Sequence, residues 1–284
     1  MIIDNLKRRS QEVLSSQNDP LYIRTLLKEE LQNYILNYVY NSAQYKNLIF
    51  TGGTCLRKVY GLPRLSEDLD FDYIKKFKLE LFSKDIQSYF ISNLQYKEVN
   101  TKINKNKNTI YIKFPSILNQ LGLKKKTVQS SVLFVRCDFS KETIGIFDTE
   151  ISSISTSEYT IFINNYDLPT LFANKIAAFL RREFFKGANQ DISFKGRDVF
   201  DIVWFIEKSK RENFQLKPNW IRLQKILQIK SKEDIIKEVI QKTQDIDKSK
   251  VYEDLAPFIE SKQSINSFTQ TYNTIIQKNI RKLL

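Results

Sequence analysis

One short segment, residues 50–73 with the sequence FTGGTCLRKVYGLPRLSEDLDFDY, constrains the fold of this chain more than any other. It holds three of the chain's 7 glycines, followed by Asp68, Asp70 and Asp72 at every second position. Alternate side chains of a β-strand share a face, so the three carboxylates point one way. Like charges on one face repel each other, and carboxylate oxygens are the ligands that Mg²⁺ prefers. The pattern favours a cation-binding strand over an ordinary strand with a solvated polar face.

A strand, two glycines and a helix start precede these aspartates. Residues 47–50 are apolar and predict a short strand, and residues 54–60 predict a short helix. Glycine lets the backbone turn tightly and approach a ligand, and the amides at a helix start attract anions. Gly52 and Gly53, with Thr54 as the helix N-cap, therefore predict a phosphate-binding turn.

The charge of the chain favours a polyanionic partner. The formal net charge is +13, which suits nucleic acid, although a lysine-rich genome would produce the same excess. Residues 101–127 contain seven lysines, three of them at 124–126, and no acid. Tyr111 and Phe114 are interleaved with these lysines, which is typical of a surface that faces phosphates.

Composition excludes several kinds of site. The chain has no histidine, which removes Ser–His and Cys–His nucleophile pairs and histidine metal ligands. Cys55 and Cys137 lie in apolar surroundings and are expected to be reduced core residues of a cytoplasmic protein. With no apolar run of transmembrane length and no N-terminal stretch of signal-peptide length, we expect no membrane association.

Hydrophobic periodicity divides the chain into two parts. Strand patterns alternate with helical ones up to about Asn165, and helical periodicity takes over from Leu168, with a helix predicted through residue 185. We predict an α+β protein: a small mixed-sheet domain with N-terminal helices over residues 1–165, followed by a helical C-terminal domain over residues 166–284.

The segment GGTCLRKVYGLPRLSEDLDFD, residues 52–72, resembles the signature of the AbiEii/AbiGii nucleotidyltransferase toxins, within the polymerase-β-like nucleotidyltransferase superfamily. That signature is a Gly-Gly/Ser turn followed by an Asp-hydrophobic-Asp pair. Thr54 stands where many members carry Ser, and the loop over residues 55–67 is at the long end of the usual range. The resemblance implies a small mixed sheet flanked by helices, with a helical C-terminal domain.

The family's third carboxylate usually lies on a downstream strand. In VLFVRCDFS, residues 132–140, Asp138 is predicted to face away from the core, flanked on its face by Arg136 and Ser140. Asp148 is a competing candidate.

Two later motifs also resemble the family. NKIAAF matches its lysine motif and places Lys175 on an otherwise apolar helix face, where the alternative is a snorkelling lysine. KGRDVFDIVWF resembles its Arg-Asp-x-x-Asp element. Of the two acids there, Asp198 is the better active-site candidate, and Asp201 is expected to be structural, paired with Arg197 or Lys195.

The resemblance implies transfer of a nucleoside monophosphate from an NTP, with release of pyrophosphate and dependence on Mg²⁺ or Mn²⁺. Metal ligands would be Asp68, Asp70 and Asp138; the triphosphate would be bound by Gly52, Gly53, Thr54 and Lys175, with Arg57 and Arg64 as further phosphate ligands. Either arginine could instead brace Glu67 or Asp72. Asp198 would orient the acceptor hydroxyl or Lys175.

The implied biological role is that of a toxin that modifies the 3′ end of tRNA, in a toxin–antitoxin or phage-defence pair with a winged-helix, AbiEi-like antitoxin. A basic chain argues against the first alternative, a small-molecule nucleotidyltransferase of the antibiotic-modifying type, because such substrates are cationic. The intact aspartate pair argues against the second, a catalytically inactive RNA-binding module.

Overall fold

The computed structural model describes residues 2–14, 19–123, 132–182, 184–185, 191–192 and 194–284. They form two compact units, Met1–Thr143 with Ile151–Asn165, and Ile144–Glu150 with Tyr166–Leu284. The lysine run at 124–126 lies outside the described residues. No helix in the described part of the chain combines the length and the apolar character needed to cross a bilayer.

The first unit is built on a mixed sheet with helices on it. Its helices are α1 (Ile2–Leu14), α2 (Pro20–Asn41), α3 (Gly52–Tyr60), α4 (Leu79–Ser88) with a π-helical turn (Tyr89–Asn93), and α5 (Ile117–Gln120). The strands are β1 (Ile49–Thr51), β2 (Asp68–Tyr73), β3 (Asn100–Ile103), β4 (Thr109–Phe114), β5 (Leu133–Lys141), β6 (Thr149–Ser155) and β7 (Thr160–Tyr166). Among the described residues they form a seven-stranded sheet in the order β3-β4-β5-β2-β1-β7-β6. Strand β2 runs parallel to β5 and antiparallel to β1. The predicted fold class is confirmed.

An aromatic cluster packs on one face of the central strands. Phe71 of β2 is 1% exposed, and its ring centroid lies 5.4 Å from that of Phe139 on β5 and 5.6 Å from that of Phe50 on β1. These rings alternate with the aspartates, so the acids lie on the opposite face of the sheet. Both predicted core cysteines, Cys55 and Cys137, are fully buried, and burial raises the pKa of the Cys137 thiol.

Helix α2 is buried on most of its surface and carries polar residues that hold the segment before β2. Asp19 caps the helix by accepting from the Leu21 amide at 2.7 Å. Gln32 Nε2 donates to the Ser66 carbonyl at 3.0 Å, and both groups are buried. Lys28 pairs with Glu67 at 2.8 Å. Because Gln32 and the Ser66 carbonyl are desolvated, their hydrogen bond restricts where the chain enters β2, and the Lys28–Glu67 pair adds a second restraint.

In the described part of the basic segment at 101–127, the two aromatic side chains face in different directions. Phe114 is fully buried against Phe90 and Tyr96, with ring centroids 5.2 and 5.7 Å away. The prediction that Phe114 faces phosphates is therefore wrong, because its position on β4 points into the core. Tyr111 lies three residues before Phe114 on the same strand, so its side chain points to the other face of the sheet.

The described part of the second unit is mainly helical and includes the short strand pair β8 (Phe184–Phe185) and β9 (Asp191–Ile192). Its helices are α6 (Leu168–Arg181), α7 (Gly196–Arg211), α8 (Trp220–Leu227), α9 (Lys232–Gln244), α10 (Lys248–Leu255) and α11 (Lys262–Asn279), with a final 3₁₀ turn (Ile280–Leu283). Stacking of Phe172 on Phe205, with centroids 4.2 Å apart, joins α6 to α7. The prediction of a helix through residue 185 is wrong: Arg182 adopts an extended backbone, and β8 then pairs with β9.

The aromatic cluster should dominate the stability of the first unit. Phe71→Ala is expected to lower the free energy of unfolding by about 3–5 kcal/mol, because it removes a buried ring and leaves a cavity. Phe162→Ala is a matched control, since that ring is 67% exposed and its loss should change stability by about 0.5 kcal/mol or less. Urea titration followed by circular dichroism measures both. Equal losses in the two variants would contradict the assignment of Phe71 to the core.

Candidate functional site

The register of the sheet brings three predicted acids to one face of the first unit. Asp70 of β2 lies directly beside Asp138 of β5, and Asp68 lies beside Arg136. Neighbouring residues in register share a face, so Asp68, Asp70 and Asp138 all face the same way. The competing candidate Asp148 belongs to the second unit, where its amide donates to Thr170 Oγ1 at 3.3 Å. The geometry favours Asp138.

Gly52 lies against the Asp70 carboxylate. Its φ is +79°, and a Cβ added there would lie 1.9 Å from Asp70 Oδ2. Any side chain at this position would therefore be strained in the backbone and would also displace the carboxylate. The turn and the acidic strand are consequently one structure: the chain needs glycine at 52 because an aspartate is at 70.

Thr54 does not cap helix α3. The helix begins at Gly52 with Thr51 in the N-cap position, so Thr54 lies inside the first turn and is fully buried. Its hydroxyl forms a short hydrogen bond with the Asp68 carbonyl and another with Ser66 Oγ at 2.8 Å. The prediction of a Thr54 N-cap is wrong, because this hydroxyl instead ties α3 to the start of β2.

The two arginines of the segment are held within the protein. Arg64 is only 4% exposed and donates to the Leu65 carbonyl at 2.9 Å. A Cβ added to Gly53 would lie 2.8 Å from Arg64 Nη2, so this glycine lets the guanidinium approach the turn. Arg57 pairs with Glu29 of α2 at 3.1 Å. Sequence reasoning missed Glu29 as its partner, because nothing in the local pattern links the two.

Asp138 is already engaged by its neighbours. Arg136 Nε lies 2.9 Å from Asp138 Oδ2, and Thr109 Oγ1 donates to Asp138 Oδ1 at 2.6 Å. Burial lowers the pKa of Arg136, but the carboxylates of Asp138 and Asp68 outweigh it, so the net effect is a raised pKa. The predicted placement of Arg136 beside Asp138 is confirmed, and the spacing of two residues on one strand was the signal for it.

The donor set has the chemistry that a hard divalent cation requires. Three carboxylates on two adjacent strands supply oxygen ligands, which suit Mg²⁺ and Mn²⁺. Within the described ranges, no group of three or more cysteine or acidic side chains is arranged to hold a metal ion as it stands. The Asp138 carboxylate is instead engaged with the guanidinium of Arg136.

The second unit carries the remaining predicted residues on helices α6 and α7. Lys175 Nζ lies 2.6 Å from Asp201 Oδ2, with side-chain exposures of 13% and 0%. Asp198 pairs with Arg182 at 2.5 Å. Asp201 was expected to pair with Arg197 or Lys195.

Arg197 instead contacts Asp254, which accepts from its backbone amide at 3.1 Å and lies 3.8 Å from its guanidinium. That expectation named sequence neighbours, whereas the structure pairs Asp201 with Lys175 on the preceding helix. Arg182 was missed for the same reason: its partner lies on a different helix.

Comparisons with known proteins identify a family and a similar fold. A family model described as the nucleotidyltransferase AbiEii toxin of type IV toxin–antitoxin systems matches residues 35–275. The fold is similar to that of MenT4, a nucleotidyltransferase toxin from Mycobacterium tuberculosis, with a TM-score of 0.56 and 11% identity over 99% of this chain and 92% of that one. JHP933 from Helicobacter pylori is similar at a TM-score of 0.41 and 15% identity, over 91% of this chain and 96% of that one. A search of curated proteins finds no match.

The family model spans most of the chain and includes the glycine turn, the three acids of the sheet and the lysine of α6. The chain belongs to the AbiEii family of nucleotidyltransferase toxins of type IV toxin–antitoxin systems.

Proposed function

We propose that this nucleotidyltransferase moves a nucleoside monophosphate from an NTP to an RNA acceptor, with the 3′ end of tRNA as the favoured acceptor, and so blocks translation. The observation that carries the proposal is the contact between the Gly52 turn and Asp70, with Asp138 in register beside it. This arrangement sets an anion-attracting helix start next to a group of carboxylates.

An RNA acceptor is supported by charge. The formal net charge of +13 favours a polyanion and disfavours the cationic substrates of a small-molecule nucleotidyltransferase. Type IV toxins act with an antitoxin, and we propose a winged-helix, AbiEi-like protein as the partner that neutralises this chain. A winged-helix gene adjacent to that of this chain would support the partner assignment.

The reaction joins the acceptor hydroxyl oxygen to the α-phosphorus and breaks the bond from that phosphorus to the bridging oxygen. Pyrophosphate leaves, and the proton of the attacking hydroxyl passes to a solvent water molecule. Asp68, Asp70 and Asp138 are the proposed ligands of Mg²⁺ or Mn²⁺, which when bound would supply Lewis-acid stabilisation of the phosphoryl charge. For Asp138 to take part, its carboxylate must leave the Arg136 guanidinium and bind the metal ion.

The proposed triphosphate site is the start of helix α3. Gly52, Gly53 and Thr54 would bind phosphate oxygens through backbone amides, since the Thr54 hydroxyl is held by Asp68. Arg64 and Arg57 would hold the turn in shape and add positive charge. Backbone donors are fixed before the substrate arrives, so they cost no reorganisation during the reaction.

In the second unit, Lys175 is proposed to neutralise triphosphate charge. Asp201 lies 2.6 Å from its ammonium and fixes the orientation of the lysine side chain. The Asp198–Arg182 pair is proposed to orient Lys175 or the acceptor hydroxyl.

The acids of β2 can be tested with a matched control on the same strand. Asp68→Asn and Asp70→Asn should abolish transfer of labelled nucleotide to total tRNA and weaken Mn²⁺ binding measured by calorimetry. Asp72→Asn removes an equal charge two residues further along the same face and should retain transfer. The first two variants should unfold at the same temperature as the wild type or slightly higher, because repulsion between like charges is relieved.

Transfer retained by either Asp68→Asn or Asp70→Asn would contradict the metal assignment. Loss of RNA modification in all three variants would show that the strand's net charge, and no particular pair, is required. Retained RNA binding in a catalytically silent wild-type protein would favour the inactive binding module.

Lys175 requires a test that separates chemistry from folding. Lys175→Ala should lose transfer, but it also leaves a buried Asp201 carboxylate without its ammonium, which costs about 3–5 kcal/mol of stability. The double variant Lys175→Met with Asp201→Asn removes that buried charge and should fold. If Lys175 binds triphosphate, the double variant still shows a severely raised KM for NTP. Wild-type kinetics in the folded double variant would make this pair purely structural.

A further inference from the structure

On the same face of the sheet as the acids, the neighbouring strands carry a row of aromatic and basic side chains. Asp68 is in register with Arg136, Arg136 with Tyr111, and Tyr111 with Lys102, so one row crosses strands β2, β5, β4 and β3. In the next row along the strands, Phe134 of β5 is in register with Lys113 of β4. We refer to the following set as the β3–β5 surface: Lys102, Tyr111, Lys113, Phe134 and Arg136.

This surface is accessible, whereas the alternate residues of the same strands are core. Lys102 is exposed, and Tyr111, Lys113 and Phe134 are partly exposed. Ile110 and Ile112, which flank Tyr111, are fully buried. On its open side, strand β4 places Tyr111 two residues before Lys113, and Lys102 of β3 lies in register beside the same ring. These side chains gain no core packing there, so the pattern suits a ligand.

The lysines of this surface are not used inside the protein. Over the described part of the chain, neither Lys102 nor Lys113 forms an ion pair with a carboxylate. Elsewhere in the same unit Lys28 pairs with Glu67, and Lys107 pairs with Glu80 at 3.0 Å. The charges of Lys102 and Lys113 are therefore available to an external anion.

The aromatic rings are held in a fixed orientation. Tyr111 and Phe134 meet edge to face, with centroids 5.7 Å apart and an interplanar angle of 73°. Lys28 Nζ lies 5.0 Å from the Phe134 centroid and covers that ring. Phe134 thus supports Tyr111, and Tyr111 is the ring presented for stacking.

The order of strands places the acids between this surface and the phosphate turn. The Gly52 turn follows β1, the acids lie on β2 and β5, and β4 and β3 lie beyond them in the order β3-β4-β5-β2-β1. Adjacent strands are about 4.8 Å apart, so Tyr111 lies about 10 Å from the strand of Asp70. A triphosphate bound at the turn leaves the row from Arg136 to Tyr111, next to Asp68 and Asp138, for the acceptor.

We propose that the β3–β5 surface binds the terminal nucleotides of a single-stranded RNA acceptor, with a base stacked on Tyr111 and phosphates on Lys102 and Lys113. A terminal nucleotide lying over Arg136 would bring its hydroxyl to Asp138. This proposal rests on the proposed function for the role of the RNA as acceptor. Stacking on an aromatic ring tolerates any base but needs an unpaired one, which favours a single strand over a duplex.

The test is an equilibrium titration of the full-length protein with a short fluorescent single-stranded RNA, without NTP or divalent metal. Tyr111→Ala should weaken the Kd by about 5- to 150-fold, the effect of losing one base–aromatic stack. Tyr111→Phe keeps the ring and should bind like the wild type. Tyr111→Leu keeps apolar bulk without the ring, and should bind weakly even if Tyr111→Ala fails to fold.

The lysines are tested by the salt dependence of the same Kd. Lys102→Ser with Lys113→Ser should reduce the slope of log K against log salt by about 1.4, since each phosphate contact on a single strand contributes about 0.7. Lys84→Ser with Lys97→Ser removes the same charge at two exposed positions on and after α4, and should leave the slope unchanged. Helix α4 lies on the other face of the sheet, where Ser83 Oγ donates to Thr101 Oγ1 at 2.9 Å.

Equal slopes in the two double variants, or a wild-type Kd in Tyr111→Leu, would overturn the proposal. Duplex RNA that binds as tightly as the single strand would overturn it as well. Because the titration needs no turnover, it separates the two claims. RNA bound through Tyr111 but never modified would sustain this surface and contradict the proposed function, whereas transfer to RNA unaffected by these variants would do the reverse.

Discussion

The absence of a side chain at residue 52 is the constraint on which the rest of the site depends. Gly52 adopts a φ of +79°, and its missing Cβ leaves the space that the Asp70 carboxylate occupies. The turn can therefore start helix α3 directly beside an acidic strand. Thr54 completes the joint, because its buried hydroxyl binds the Asp68 carbonyl. The joint thus holds a helix start that attracts anions close to a set of acids that would attract cations. The two would bind oppositely charged parts of one substrate complex.

Polar side chains of helix α2 hold the two segments that meet at this joint. Gln32 holds the Ser66 carbonyl, and Glu29 holds Arg57 of α3. An apolar helix could bury as much surface, but it would not specify where the loop before β2 lies. Buried hydrogen bonds contribute modest net stability each, yet they strongly disfavour arrangements that leave the same groups unpaired. The sheet core of stacked phenylalanines supplies stability, and α2 supplies position.

Candidate acids in both units are neutralised by basic partners in the structure. Asp138 is paired with Arg136, and Asp201 with Lys175. Such pairing limits the cost of keeping acids partly or fully desolvated. At Asp138, any cation that binds would have to compete with the Arg136 guanidinium.

Much of this protein follows from the sequence by itself. Alternation in DLDFDY predicted the acidic strand and its core face, and the strand–glycine–helix order predicted the turn, because both depend on contacts between residues that are near in the chain. Only the tertiary structure showed that Asp138 lies directly beside Asp70, through the register of β2 on β5. It also decided which base neutralises which acid, and it moved Phe114 to the core. Local periodicity specifies the face on which a side chain lies, but the partner across that face is set by the packing of elements distant in sequence.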